Sequence, residues 1–291
     1  MLAVSLVLVP LSGGGAMFAA DDAGEGEVKT AAAPPASARS GAAQNDAVQN
    51  SVGMRFVSIA PGEFSMGLPD AVRNEEPPEE YPPHRVAITR PYYLGVCEVT
   101  QRQWQTVMNT NPSWHSSTGG GAGTVGATDT SDLPIEQISY NDVIAFCTAL
   151  GSRAEEAAAK RSYLLPTEAE WEYACLGGKT APFVAGGGAP AAQQALHAVG
   201  GGSANEFGLY DMRGNAWEWC ADWYGVGYYR ESAPRDPQGP AHGVLRVVRG
   251  RDWIFSGFGD RPYLTRDPSP ASRKCAFLGC RLVCIVAQSK P

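Results

Sequence analysis

The residues of this chain that could do chemistry are concentrated in one short window, from Asn205 to Trp219. Its Asn and Glu side chains offer oxygen atoms as ligands or hydrogen-bond acceptors. Its Gly residues permit the sharp turns that bring such atoms together. Trp217 and Trp219 add large rigid rings whose N–H groups need partners. Ordinary helix or strand periodicity does not call for this mixture, so the window is the first place to look for a site.

Cysteine is the second residue type that could bind a metal or form covalent links. An odd number of cysteines leaves at least one outside any disulfide, and the spacings do not form the paired C-x2-C pattern of a zinc site. Cys147 and Cys175 fall in helical patterns, which indicates small buried apolar residues. Cys275 and Cys280 have C-x4-C spacing, for which a disulfide and two packed thiols both stay open. The seven are Cys97, Cys147, Cys175, Cys220, Cys275, Cys280 and Cys284.

Histidine gives no comparable cluster. The four histidines, His84, His115, His197 and His242, are scattered along the chain. Each is predicted to be a surface or loop residue, and together they do not indicate an iron site.

The window is one of several motifs that occur in a fixed order over residues 54–287. These blocks are 56–67, 83–86, 91–95, 98–101, 133–136, 145–147, 165–174, 205–219 and 246–250. Through them the chain resembles the formylglycine-generating-enzyme/sulfatase-modifying-factor family, whose domains have a C-type-lectin-like fold. The resemblance implies an α+β domain that is rich in loops, with short antiparallel sheets and two or three helices.

The catalytic members of that family imply a copper-binding cysteine pair, spaced C-x4-C, shortly after the block that here begins at Arg249. Phe255 and Asp260 stand at those two positions, and neither can replace the soft thiolate that Cu(I) prefers. Cys275 and Cys280 have the spacing but lie too far along the chain. Copper is therefore not expected. Formylglycine synthesis stays as the alternative function, as does the related iron-dependent sulfoxide-synthase class, which needs a histidine cluster.

A calcium site is a further implication of the resemblance. Asn215 and Glu218 resemble positions that help to bind Ca²⁺ in family members, and oxygen ligands from side chains and loop carbonyls suit that ion. Such an ion would make the loops rigid and would not take part in chemistry. The alternative is that both side chains hydrogen-bond the loop backbone without a metal.

The departures from the family pattern are concentrated near the C-terminus, in residues 249–283. Some relatives are the variable proteins of diversity-generating retroelements, in which adenine-directed mutagenesis changes this part of the chain. Mutagenesis of Asn codons cannot produce Glu, Gln, Met, Lys or Trp, and between Arg251 and Phe277 only Trp253 and Lys274 fall outside the set that it can produce. Diversification and ordinary drift of a fixed surface both stay open.

The sequence therefore predicts a non-catalytic ligand- or protein-binding module that uses this C-terminal surface. Aromatic residues bring rigid contact area at a small entropic cost, and Arg adds bidentate polar contacts. A net charge of −7 argues against sequence-independent binding of nucleic acid, which needs a basic surface. The expected partner is a protein or another surface ligand. The candidate contacts are Trp253, Ile254, Phe255, Phe258, Asp260, Arg261, Tyr263, Arg266, Asp267, Arg273 and Lys274.

The N-terminal region predicts export. Residues 2–11 form an apolar run that is too short to span a bilayer and has the length of a signal-peptide core. We therefore assign residues 1–20 to a signal peptide. Residues 21–52 are rich in Ala, Gly and acidic residues, which predicts a disordered linker. The expected location is periplasmic, cell-surface or secreted, with membrane contact only through export or tethering.

Local signals predict the elements that position these residues. Residues 54–67 read as two strands joined by a turn at Ala60-Pro61-Gly62. Thr100, Ser139 and Thr167 are predicted N-caps of helices; the second spans about 140–151, and the third, with a capping box completed by Glu170, spans 168–175. Strands are expected at Leu245–Val248 and Leu282–Val286.

Overall fold

A computed structural model of the protein describes residues 47–68, 82–125, 128–179, 196–250 and 266–287. Every helix within these ranges is too short or too polar to cross a lipid bilayer. The mixture of short strands and helices confirms the α+β class. The strands are β1 (Ala47–Gln49), β2 (Arg55–Ile59), β3 (Gly62–Met66), β4 (His84–Ile88), β5 (Tyr92–Gly95), β6 (Arg161–Leu164), β7 (Trp217–Trp223), β8 (Leu245–Arg249), β9 (Arg266–Pro270), β10 (Leu278–Gly279) and β11 (Val283–Val286). The helices are α1 (Gln101–Met108), α2 (Ala122–Val125), α3 (Tyr140–Gly151), α4 (Ala154–Ala158) and α5 (Glu168–Cys175), with a 3₁₀ turn at Tyr228–Arg230.

The strands form three sheets. A five-stranded sheet has the order β1-β2-β5-β11-β6, and a four-stranded sheet has the order β10-β7-β8-β9. A separate pair joins β3 to β4. All pairings are antiparallel except β10 with β7.

The middle of the five-stranded sheet is buried on both faces, whereas Leu164 and Ile285 near one edge are exposed. Successive side chains of a strand point to opposite faces, so Val57 and Leu94 pack into one hydrophobic cluster, whereas Phe56 and Cys284 pack into a second. The four-stranded sheet contributes to both clusters in the same way, because Trp219 belongs to the second and the adjacent Cys220 to the first. The two cores therefore hold the two larger sheets in a fixed relation.

The predicted helix starts are confirmed. Ser139 accepts a hydrogen bond from the Asp142 N–H and caps α3. Thr167 does the same with Glu170 in a full capping box and caps α5, and Thr100 caps α1. The prediction succeeds because each signal lies within four residues of the feature it determines.

Three features of the sheets differ from the expectations. The strands of residues 54–67 do not pair with each other, because β2 pairs with β1 and β5, whereas β3 pairs with β4. Strand β1 lies within the stretch predicted as linker, where Val48 packs against the second core, so the domain begins at or before Ala47. Strand β7 occupies part of the Asn205–Trp219 window, where we expected no regular periodicity.

Candidate functional site

Two arginines flank most of the segment that is predicted to bind a ligand. Residues 251–265 connect β8 to β9, and the last register pair of these strands is Arg249 with Arg266. The segment itself lies outside the described residues. Seven predicted contacts therefore have no described position: Trp253, Ile254, Phe255, Phe258, Asp260, Arg261 and Tyr263.

Both arginines reach the same buried carboxylate. Arg266 donates to Glu168 through Nε and Nη2, over 2.8 and 2.9 Å to the two carboxylate oxygens. Arg249 donates through Nη1 to Oε1 of Glu168 over 3.4 Å and through Nη2 to Glu172. All four side chains are at most 2% exposed. A buried cation needs such a partner, because its desolvation is otherwise very costly.

This arrangement changes the role of Arg266. It was predicted to contact a ligand, but its side chain is only 1% exposed and its guanidinium group faces Glu168. The cation also lies 4.4 Å from the ring centroid of Tyr224 and 4.8 Å from that of Tyr229. Arg266 therefore holds one end of the segment from inside the fold. The reason is burial, which sequence spacing alone does not reveal.

Helix α5 supplies the acidic side of this cluster. Glu168 and Glu172 lie one turn apart on it, and Tyr229 donates to Oε1 of Glu168 over 3.0 Å. Burial tends to raise the pKa of Glu168, but Arg266 and Arg249 outweigh it and hold that pKa below its usual value. Glu168 and Glu172 are four residues apart and therefore lie on the same side of the helix as each other. Their position around Trp171, which is buried, is the sequence signal that could have indicated an acidic pair facing inward.

A third carboxyl group, Asp222 of β7, completes the cluster. It accepts a hydrogen bond from the backbone N–H of Glu168 over 2.8 Å. Burial and the nearby Glu168 charge raise the pKa of Asp222 to about 8. The group is therefore largely protonated at neutral pH, unlike the ionised Glu168.

The other three predicted contacts lie at the surface beside the N-terminus of α3. Arg273 pairs with Asp267 over 3.7 Å, and Lys274 pairs with Asp142 over 2.8 Å. The side chains of Asp267, Arg273 and Lys274 are 47%, 38% and 50% exposed. We call this group the C-terminal rim. It flanks the β9 end of the segment and is accessible to a partner.

The two predicted calcium ligands, Asn215 and Glu218, have other partners. Asn215 accepts from the His197 N–H over 3.1 Å and donates to the His197 carbonyl over 3.2 Å. Glu218, which is fully buried, accepts from Arg281 over 2.9 Å and from Trp171 Nε1 over 2.7 Å. Their side-chain oxygens therefore point to different protein groups, and as arranged the pair does not fit a calcium ion. Within the described ranges, clusters of three or more His, Cys, Asp or Glu suited to a metal are also absent.

Sequence reasoning did not identify Glu98 as part of this region. Its carboxylate is buried, neither oxygen has a hydrogen-bond partner among the described residues, and one lies 3.9 Å from Arg281 Nη2. Burial, with the Asp211 charge, raises the pKa of Glu98 well above its usual value. Burial therefore favours the protonated form of the Glu98 carboxyl group. The signal in the sequence was a lone Glu between apolar residues, Cys97 and Val99.

The cysteines do not form an accessible pair. All seven lie in described ranges, and the structure joins none of them in a disulfide. Cys280 is completely buried in the second core, and burial raises the pKa of its thiol well above the ordinary range. Cys275 is half-buried. A buried protonated thiol is a poor nucleophile and a poor metal ligand, which argues against Cys275 and Cys280 as a catalytic pair.

Comparison with known proteins identifies the family to which the domain is similar. Residues 40–285 match the model of the sulfatase-modifying factor enzyme 1-like domain. The chain is 33% identical over 143 residues to formylglycine-generating enzyme of Streptomyces coelicolor, covering 42% of each chain. It is 47% identical over 97 residues to serine/threonine-protein kinase pkn1 of Chlamydia pneumoniae, covering 31% of this chain and 16% of the kinase. The matches thus span less than half the length of these curated relatives.

A solved structure gives broader coverage. Treponema denticola variable protein 1 superposes with a TM-score of 0.64 at 27% identity, covering 83% of this chain and 99% of that chain. The expected C-type-lectin-like architecture of formylglycine-generating-enzyme domains is thereby confirmed. Since the family model spans most of the sequence, the chain belongs to the family of sulfatase-modifying factor enzyme 1-like domains.

Proposed function

We propose that this domain is a non-catalytic binding module that presents residues 251–265 and the C-terminal rim to a protein or other surface ligand. The observation that carries the proposal is the attachment of the segment. It joins β8 and β9 at Arg249 and Arg266, and the carboxylates that hold these arginines, Glu168 and Glu172, lie elsewhere in the chain. The contacts that fix its ends are thus independent of its own residues.

The likeness to a protein named as variable supports a surface whose residues change. Within the proposal, changes fall in the segment and the rim, whereas α5, β8 and Arg266 of β9 stay constant. Retroelement-directed diversification is the process that we propose for these changes. It requires a reverse transcriptase gene and a near-copy template repeat beside this gene.

Formylglycine synthesis is the second candidate, because the family includes enzymes named for that activity. Two features of this chain weigh against it. Phe255 and Asp260 stand where the catalytic cysteines are expected. Of the C-x4-C pair that is present, Cys275 and Cys280, the second is completely buried. The binding proposal is therefore the better supported.

We also propose that the protein is exported, on the evidence of the apolar run at residues 2–11. Export would place the binding surface where it meets partners outside the cytoplasm. Cell fractionation of the full chain, with mass spectrometry of the mature N-terminus, tests this directly. Recovery of the intact N-terminus in the cytoplasmic fraction would contradict it.

The binding proposal is tested with two display libraries of the full chain. One randomises Ile254, Phe255, Phe258, Arg261 and Tyr263, and the other randomises the exposed α4 region at Ala154, Glu155, Ala157, Ala158 and Lys160. After selection on a purified test protein such as egg-white lysozyme, we expect folded binders from the first library only. Equal yields from both libraries, or loss of folding throughout the first, would contradict the proposal.

The enzymatic alternative has its own assay. The folded protein is loaded with Cu(I) and incubated with a sulfatase-motif peptide that contains cysteine. Mass spectrometry then follows conversion of the cysteine to formylglycine, and we expect none. If the wild-type protein converts the peptide and Cys275→Ser does not, formylglycine synthesis becomes the better supported function.

A further inference from the structure

Arg246 of β8 is held between two aromatic rings. Its guanidinium carbon lies 3.3 Å from the ring centroid of Trp223 and 4.2 Å from that of Tyr140. All three residues are half-buried and retain some solvent-accessible surface. Both rings therefore contact the cation, and their attraction for it helps to hold the guanidinium group in place.

The donors of this cation are only partly used. Nη1 donates to the Ala221 carbonyl over 2.7 Å, whereas the buried Nε has no acceptor among the described residues. The described part of the chain also offers Arg246 no carboxylate within 4.0 Å. Burial lowers the pKa of Arg246 despite the nearby Tyr140 and Asp222. The carboxyl group of Asp222 instead accepts a hydrogen bond from the backbone N–H of Glu168.

Among the described residues, the three fully buried arginines differ from Arg246 in this respect. Arg249, Arg266 and Arg281 each have at least one carboxylate partner within 3.5 Å. A partly desolvated cation without a counter-ion gains more from an incoming anion than a fully hydrated one does. A carboxylate suits such a cation, because hydrogen bonds between two ionised groups are shorter and stronger than those between neutral groups.

Arg246 also adjoins the proposed binding surface. It pairs in register with Ser269 of β9, and Arg273 of the C-terminal rim donates to the Ser269 hydroxyl over 3.4 Å. A partner that covers the rim would thus reach Arg246 with a neighbouring side chain. We propose that Arg246, between Trp223 and Tyr140, is a subsite for a carboxylate of the partner. This inference rests on the proposed binding function.

Nitrogen-15 NMR of the arginine side chains tests the subsite without knowledge of the natural partner. The probe is sodium acetate, titrated against sodium chloride at equal ionic strength. We expect the Arg246 Nε–Hε signal to shift saturably with acetate only. The Arg266 Nε–Hε signal is the internal control, because that group is already bound to Glu168. The absence of an acetate-specific shift, or equal shifts of both signals, would overturn the proposal.

Two variants complete the test. Arg246→Lys removes the Arg246 Nε–Hε signal, so the acetate-dependent shift should vanish with it; a shift that persists in this variant would belong to another arginine. If this variant does not fold, Tyr140→Leu removes one of the two rings that contact Arg246. We then expect acetate to shift the Arg246 signal with a several-fold weaker affinity. An unchanged response in a folded variant of either kind would contradict the proposal.

A third variant separates the subsite from the proposed function. In the triple change Asp267→Asn, Arg273→Gln and Lys274→Gln, the rim loses its charges while Arg246 stays in place. We expect the acetate response of Arg246 to persist in this variant, and its disappearance would refute an independent subsite. Failure of the display libraries with a normal acetate response would refute the binding module and leave the subsite.

Discussion

Arg249 and Arg266 face each other across neighbouring antiparallel strands, and both donate to Glu168 of α5. Two like charges directly opposite on a sheet repel each other. The negative charge of Glu168 offsets this repulsion. It also ties the strand ends that flank residues 251–265 to α5. We call Arg249, Arg266 and Glu168 the arginine clamp.

Glu168→Gln should severely destabilise the protein. The change leaves two buried guanidinium groups with less countercharge, and breaking a buried ion pair in this way costs about 3–5 kcal/mol. Urea unfolding measures the loss of free energy. Glu63→Gln is the matched control, because its ion pair with Arg85 is exposed and should contribute less than about 1 kcal/mol. Similar losses in the two variants would contradict the role of the clamp.

Asp222 should make stability depend on pH. Its pKa in the folded protein is raised to about 8, so the stability it contributes is complete below the unfolded pKa of about 4 and is lost as the pH rises towards 8. We expect Asp222→Asn to flatten the curve of unfolding free energy against pH by at least about 1 kcal/mol over this window. Parallel curves for variant and parent would contradict the assignment.

Trp171→Ala should impair folding, whereas Phe255→Ala and Arg261→Ala should alter binding and leave the melting temperature nearly unchanged. Trp171 is fully buried and donates to Glu218, and removing such a ring costs about 3–5 kcal/mol. Thermal unfolding of the three variants measures stability, and alanine substitution at positions 255 and 261 of the lysozyme-selected binders measures binding. Equal melting losses in all three variants would contradict the separation between framework and surface.

Calcium should leave the stability of the protein unchanged. The oxygens of Asn215 and Glu218 already accept from His197, Arg281 and Trp171, and an ion would have to displace these donors. Thermal unfolding in EDTA and in excess calcium chloride checks the expectation. A calcium-dependent rise in melting temperature that is lost in Glu218→Gln would show that Glu218 exchanges Arg281 for the ion.

The local parts of the fold could be predicted from sequence, and the long-range parts could not. Ser139 and Thr167 mark helix starts because the cap and its partner are three residues apart. Strand β3 instead pairs with β4, and α5 contacts both strands. Local patterns do not encode such pairing. A strand followed by a turn and another strand therefore suggested a hairpin that does not form.

The candidate site shows the same limit. Arg266 has the side chain of a good contact residue, and its sequence neighbours Asp267 and Arg273 are indeed at the surface. Its partner Glu168 lies 98 residues away, so only the folded chain reveals that it faces inward. The exposed and buried arginines of this region cannot be distinguished by composition.

The arginine clamp also bears on how long the connecting segment can be. Opposed residues of an antiparallel pair have Cα atoms only about 4.5–5.5 Å apart, so a segment of almost any length can close between Arg249 and Arg266. Each doubling of the length of a flexible loop adds only about 0.6 kcal/mol of closure entropy. Insertions and deletions between positions 251 and 265 should therefore be nearly as well tolerated as substitutions, and relatives can differ there in the size as well as the chemistry of what they present.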